Sequence, residues 1–244
     1  MNPEEYAIMF RAEDTHWWYR GLRALLDDRW ARHLSGPGPL RVLDIGCGTG
    51  AVLEQLQARS WGAGIDVAAE ALACCRRRKA LRIAQASAQA LPFGGGCFDA
   101  AVLLDVLYHR EVPDPLAPLR EVRRVLKPEG VLLLNVPAYQ WLYSSHDAAI
   151  HTRRRFTRGE VEALMNAASF EVLEASYWNT LLFPAIVLAR LVRKQAAGRG
   201  SDLVRPPGIL GARAGAAALA LERRWMRLCP LPFGLSIFAV GRSR

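Results

Sequence analysis

No two of the five cysteines in this 244-residue chain stand in the C-x-x-C spacing of a zinc or thiol-redox site. Cys47, Cys74, Cys75, Cys97 and Cys229 form an odd, scattered set, which fits a reducing compartment and thiols used as small packing residues. A secretory leader is missing too: the start, MNPEEYAIMF, has acidic residues where a leader has a basic flank and an apolar run. The cytoplasm is therefore the expected location. A long apolar run is also lacking. The uncharged, apolar stretch 175–189 contains Asn179, Thr180 and Pro184 and falls short of the about 18 to 20 residues of a spanning helix. There is no internal repeat and no aromatic-basic stretch of the kind that reads RNA, so the net charge of +9 does not by itself argue for nucleic acid. Acid is scarcest between Thr180 and Phe233, where nine basic residues face only Asp202 and Glu222.

What the chain does have is alternation. The runs RVLDI, GAGIDV, DAAVLLDVL and VLLLNV are short, apolar and charged only at their ends, as in strands buried on both faces. Helix-length segments lie between them at 51–59, 69–79 and 115–126, the last closed by a turn at KPEG. This predicts a doubly wound α/β sheet. Before it, THWWYRGLRALLDDRWARHL reads as a helix ended by SGPGP. After it, Thr157 and Glu160 form a capping box, FEVLEASYW and LSIFAVGRS read as strands, and some fifty basic, Ala- and Leu-rich residues separate the two.

In VLDIGCGTG a strand runs into glycines at every second position, a backbone built for close approach by a ligand at a helix start. Asp66 follows twenty residues after Gly46, at the end of the next strand, where a carboxylate can accept both hydroxyls of a ribose. A plain tight turn is the bland reading of the glycines alone. A dinucleotide site shares the logic, but the spacing here is G-x-G-x-G rather than G-x-G-x-x-G.

With VLDIGCGTG, GIDVAAEAL, ASAQALPF, FDAAVLLDVLYH and LREVRRVLKPEGVLLLNVP in order, residues 41–136 resemble the class I S-adenosylmethionine-dependent methyltransferases, especially the type 11 and ubiquinone-methyltransferase-like group. The resemblance implies a mostly parallel, seven-stranded Rossmann-like sheet, with an N-terminal helix and a helical insertion before the last strand. It places Asp44 with Gly46, Cys47 and Gly48 at the methionine end of the cofactor, Asp66 at its ribose and Val67 on its adenine, with Ser87, Ala88 and Asp105 completing the site. Ser87 stands where similar enzymes carry an aspartate, which implies a weaker or water-mediated contact to the adenine amino group.

A sulfonium methyl is already activated, so alignment and exclusion of water supply most of the acceleration, and a general base matters for a hydroxyl or acidic-carbon acceptor. His109, His146 and Asp147 are the catalytic candidates; Trp18, Arg20, Tyr139, Tyr143 and His151 are assigned to the acceptor. Each has a bland reading: His109 as a helix-start packing residue, the SSHDAAIH segment as a polar loop, HWWYR as a hydrophobic anchor rather than a lid. If the segment is helical, Asp147 and His151 share a face. Arg153 to Arg155 are either a charged helix approach or a phosphate grip. Asp105, His109 and His146 form the one candidate metal set, but Tyr108 stands where the ubiquinone-type enzymes have a second acid, so no metal is expected.

The expected organisation is a helical lid at 1–36, a cofactor-binding core at 37–178, a basic helical acceptor cap at 179–232 and the last core strand at 233–244. The expected activity is methyl transfer to a small-molecule or lipid-linked acceptor, oxygen first, nitrogen and carbon open. An NAD-binding oxidoreductase and a regulatory protein that binds S-adenosylmethionine without turnover are the alternatives. The basic insertion is also compatible with peripheral contact at the inner face of a membrane.

Overall fold

The computed structural model describes residues 1–34, 38–80, 82–188 and 208–244. Seven strands form one sheet: β1 (Arg41–Ile45), β2 (Trp61–Asp66), β3 (Ile83–Gln85), β4 (Phe98–Leu104), β5 (Leu126–Pro137), β6 (Phe170–Trp178) and β7 (Ser236–Ser243). Their order is β3-β2-β1-β4-β5-β7-β6, with β7 antiparallel to both its neighbours and β1 to β5 parallel. Val42, Leu43 and Ile45 are fully buried, as are Val102 and Leu103, because helices cover both faces. The antiparallel β7 departs from the all-parallel order of a dinucleotide-binding dehydrogenase.

The KPEG segment is not a turn between elements. It lies within β5, where Glu129 takes φ 64° and the pairing of β4 with β5 slips between Phe98 and Ala100. The extra residues are absorbed as a bulge.

Helices α3 (Ala51–Gln57), α4 (Ala69–Arg77) and α5 (Leu116–Val125) fall where the apolar spacing puts them. The N-terminal region holds two helices, α1 (Pro3–Ala12) and α2 (Trp17–His33), rather than one. His16 separates them: its Nδ1 accepts the Trp18 N–H at 3.3 Å as the cap of α2. α6 (Ser145–Ala149) and α7 (Arg158–Ala167) follow β5, the latter started by the Thr157–Glu160 capping box. Residues 183–188 are helical, and α8 (Ile209–Trp225) precedes β7. Arg190, Arg193, Lys194, Arg199, Asp202 and Arg205 of the basic stretch lie outside the described residues.

α8 packs on α2 across one face of the sheet. Leu219 and Met226 join Leu22, Leu25, Leu26 and Trp178 in a buried cluster, and the buried Arg29 of α2 donates to the Met226 carbonyl at 3.1 Å. The part of the insertion seen in α8 is thus a second layer behind the N-terminal helix.

Candidate functional site

At the C-terminal edge of β1 the chain turns through Gly46 and Gly48, with φ of 72° and 52°, before entering α3. A Cβ on Gly46 would lie 2.3 Å from Val106 Cγ2, and one on Gly48 2.9 Å from Met9 Cε. The left-handed backbone and the lack of room both require glycine. The Gly46 and Cys47 N–H groups donate to the Ile65 carbonyl at 2.8 and 2.9 Å, so the loop is fixed against β2. It forms the floor of a cavity of about 480 Å³, in the range of sites for ligands of cofactor size.

Three aspartates face this cavity. Asp44 is buried, and its Oδ2 has no hydrogen-bond partner. Burial, reinforced by Glu13 and Asp66 nearby, pushes its pKa up to about 8. Asp66 accepts the Gly48 N–H on Oδ2 and the Ala68 N–H on Oδ1, both at 2.9 Å. Burial raises its pKa against these two donors. Asp105, at φ 58°, accepts the Asn135 amide on both oxygens at 3.0 and 3.1 Å. The Asn135 Oδ1 in turn accepts the Trp178 Nε1–H at 2.8 Å, which fixes the amide's orientation. Burial lifts Asp105 to about 7, opposed by the Asn135 donors and the charge of Arg155.

The opposite wall comes from the N-terminal helices. α1 contributes Tyr6 and Met9, the Glu13 that follows it caps the glycine loop, and α2 contributes Trp18 and Tyr19. The Glu13 carboxylate accepts the Thr49 hydroxyl and lies 3.4 Å from Arg78, whose Nε donates to the Thr49 carbonyl at 3.1 Å. Tyr6, Met9, Glu13 and Tyr108 are cavity residues that sequence reasoning missed, while Tyr19 belongs to the HWWYR segment read as anchor or lid. The signal was present: Asn2-Pro3-Glu4-Glu5 is a helix start, and Tyr6, Met9 and Phe10 follow at helical spacing.

The structure brings Asp44, Gly46, Cys47, Gly48, Asp66, Val67, Ser87, Ala88, Asp105, His109 and Trp18 to the cavity. Trp18 also stacks on Trp178, with ring centroids 5.9 Å apart. His109 stands at the rim. Its Nδ1 faces the Glu111 N–H at 3.3 Å, its Nε2 the Met1 amine at 3.1 Å, and its ring lies 5.7 Å from that of His151. Burial lowers its pKa to about 4.

The remaining sequence candidates do not line the cavity, although His151 lies next to His109. Asp147 is buried beneath Arg155, with contacts of 2.8 and 3.1 Å, and also accepts the Ser144 N–H as the cap of α6. His146, on the same short helix, does not line the cavity. His151 stands beyond the end of α6 at φ 59°, because the helix stops at Ala149, so it shares no helical face with Asp147. Tyr139 stacks on Tyr177 and Trp141, Tyr143 donates to the Thr152 carbonyl at 3.2 Å, and Arg20 points to solvent. Arg155 is spent on Asp147 and the Ala138 carbonyl, and Arg154 pairs with Glu160, so two of the three arginines are engaged within the chain. Among the described residues, Asp105, His109 and His146 do not converge as a metal set.

Residues 43–134 match the family model described as a methyltransferase domain. Over 199 residues the chain is 31% identical to the malonyl-[acyl-carrier protein] O-methyltransferase of Geobacter sulfurreducens, covering 73% of each. This chain belongs to the S-adenosylmethionine-dependent methyltransferases. The methyltransferase is also 35% identical over 113 residues to a ubiquinone biosynthesis O-methyltransferase of Dinoroseobacter shibae, covering 43% of this chain and 45% of that one, so it spans less than half of that relative. Its fold is that of the Haemonchus contortus phosphoethanolamine N-methyltransferase 2 solved with S-adenosyl-L-methionine: TM-score 0.60 at 18% identity, over 93% of this chain and 52% of the other. The oxidoreductase alternative falls with this family assignment. S-adenosylmethionine is the methyltransferase's cofactor, and the cavity suits it. Asp44 offers an orphaned buried acceptor oxygen, Asp66 has lone pairs left over from its backbone donors, and the glycine loop leaves a cradle that any Cβ would fill.

Proposed function

We propose that this methyltransferase methylates an oxygen of a small-molecule or lipid-linked acceptor. The observation that carries this reading is the meeting, in one cavity, of the glycine cradle and its two carboxylates with a tyrosine-lined wall and a histidine at the rim. Asp44 and the Gly46–Gly48 backbone would hold the methionine end of the cofactor and Asp66 its ribose. Val67, Ser87 and Ala88 would border the adenine, and Asp105 completes the floor. When bound, S-adenosylmethionine supplies a methyl group already activated on a sulfonium.

The chain's own task is to orient and to keep dry. The buried Tyr6 and the half-buried Met9, Tyr19 and Tyr108 line the cavity and would narrow the access of water that competes with the acceptor. His109 is unprotonated at neutral pH because burial lowers its pKa, and its Nε2, which now faces the Met1 amine, would take the proton that an acceptor hydroxyl loses as the new C–O bond forms once the acceptor displaces that amine. The two relatives named as O-methyltransferases support oxygen as the first target. In this reading the described residues of the N-terminal segment 1–36 act as the lid over the core, α8 backs that lid through α2, and 233–244 complete the sheet.

The test is a screen of phenols, catechols, carboxylic acids and amines, free and lipid-linked, reading S-adenosylhomocysteine formed. Oxygen acceptors should be turned over, and His109→Gln should lower that turnover by roughly 10²- to 10⁴-fold with S-adenosylhomocysteine affinity unchanged. Turnover of amines alone, or full activity in His109→Gln, overturns the assignment.

A further inference from the structure

Nine large apolar side chains are exposed among the described residues, and six of them lie on or around α8: Trp141, Leu181, Leu221, Trp225, Leu228 and Phe233. Three of these form a single stripe. Leu221, Trp225 and Leu228 recur at intervals of four and three along and just past α8, and are 54%, 50% and 86% exposed. The exposed Ala214 and Ala217 extend the stripe toward the start of the helix, while Gly215, Leu219, Glu222 and Met226 occupy the opposite, buried side.

The other exposed residues continue this surface beyond one edge of α8. The Leu181 N–H donates to the Glu222 carboxylate at 2.7 Å, which sets Leu181 beside the helix. The neighbouring Thr180 hydroxyl donates to the Phe233 carbonyl, and the Phe183 ring lies 5.4 Å from Phe233 and 6.0 Å from Trp141. Along the opposite edge of the stripe run Arg213 and Arg224, both exposed and about three helical turns apart on the same line. Glu222 is the sole acid of α8, and it is buried against the Leu181 N–H.

We infer that this face docks on an anionic lipid bilayer. An apolar stripe about 20 Å long, with Trp and Leu at its end and arginines along one side, has the form of a helix lying in the interface plane, apolar face inserted and cations toward head groups. No helix among the described residues is long and apolar enough to cross a membrane, so contact from one side is the geometry available to the patch. A second copy of the chain is the weaker occupant. Antiparallel pairing of two such faces brings their arginine edges together with no acid exposed on α8 to offset them, whereas anionic head groups complement them in any orientation. The inference goes beyond the proposed acceptor chemistry and does not depend on it.

The experiment is cosedimentation of the full chain with vesicles of phosphatidylglycerol and phosphatidylcholine, against phosphatidylcholine alone, at low and moderate salt. The chain should pellet with the anionic vesicles and less so as salt rises. The triple variant Leu221→Ser, Trp225→Ser, Leu228→Ser should lose binding by tenfold or more, and Arg213→Gln with Arg224→Gln should lose most of the salt-sensitive part. Both variants should bind S-adenosylhomocysteine as the parent does, which shows that they are folded and reads the cofactor site separately. Absence of binding by the parent, or binding unchanged in the triple variant, overturns the inference. So does a parent dimer in sedimentation velocity that the triple variant dissolves without any vesicle binding, since a second copy then covers the face.

Discussion

Asp66 accepts one backbone N–H on each oxygen, and those two donors leave lone pairs directed at the cavity, so its removal costs both the loop and a ligand contact. A hydrogen bond to a charged group contributes about 1.5 to 3 kcal/mol, so Asp66→Ala should weaken S-adenosylhomocysteine by roughly tenfold to a hundredfold or more in calorimetry. Affinity equal to the parent's would remove Asp66 from the site. Asp44 makes a different prediction. Burial holds its pKa at about 8, against about 4 in an unfolded chain, so the folded state keeps a proton that the unfolded state releases. The stability from that proton is fully present below pH 4 and is lost as pH rises toward 8. Asp44→Asn should therefore raise the melting temperature relative to the parent at pH 8 and change it little at pH 4. A cationic group placed beside Asp44 by the ligand would drive that proton off. At pH 7, S-adenosylhomocysteine binding measured in phosphate and in Tris should show different enthalpies, the difference vanishing in Asp44→Asn. No buffer dependence in the parent would mean that Asp44 does not meet a cation.

α1 lies over the glycine loop through contacts centred on Arg78, which reaches the Thr49 carbonyl, Glu13, Asp14 at 3.1 Å and Glu54 at 3.0 Å, with its guanidinium 4.8 Å from the Phe10 ring centre. Without Arg78 the buried Glu13 keeps only the Thr49 hydroxyl and becomes a poorly paired buried charge. Arg78→Ala should speed S-adenosylhomocysteine release in stopped flow by roughly tenfold and raise hydrogen exchange across residues 3–12. Unchanged release would show that α1 is not what retains the ligand. This helix also marks where the sequence became hard to read. β1, β2, β4 and β5 announce themselves because both faces of a parallel strand are buried, which leaves runs such as VLLLNV without charge. β3 has only three residues and shows no run of its own; the resemblance, not its pattern, implied a seventh strand. α1 hides for another reason. Its inward residues line a cavity instead of a core, so they mix Tyr6 and Met9 with the buried Glu5 and the nearby Glu13, and acids interrupt the apolar face. The cavity floor was legible because glycines and Asp66 must sit at fixed spacing. Asp147 misled because a buried carboxylate under an arginine looks, in sequence, like a catalytic one.

Across the whole molecule the sheet, α2 and α8 form a stack in which position is passed inward from the second helical layer. The two helices approach through glycine: a Cβ on Gly215 would lie 2.8 Å from the Trp17 ring, and one on Gly21 would lie 2.3 Å from Leu219 Cδ1. Polar ties hold the same pair. Arg29 reaches the Met226 carbonyl at 3.1 Å and Glu174 of β6 at 2.6 Å, and Arg227 pairs with Asp28. The next turn of α2 carries Trp18, Tyr19 and Leu22 into the cavity wall. A side chain added at Gly215 meets the large ring of Trp17, which has little room to yield, so α2 must move or α8 must lift. Overpacking of this kind costs about 1 to 3 kcal/mol, which for a chain of this size is a fall of roughly 2 to 12 °C in melting temperature. Gly215→Val should show that fall. Because Trp17 is bonded to Trp18, the variant should also weaken S-adenosylhomocysteine several-fold, although it touches no cavity residue. Gly159→Val, at a site where a Cβ meets nothing within 4 Å, serves as the control and should change neither quantity appreciably. A lower melting temperature in Gly215→Val with unchanged affinity would show that the cavity wall is set by the sheet alone, and that α8 steadies the molecule without positioning its site.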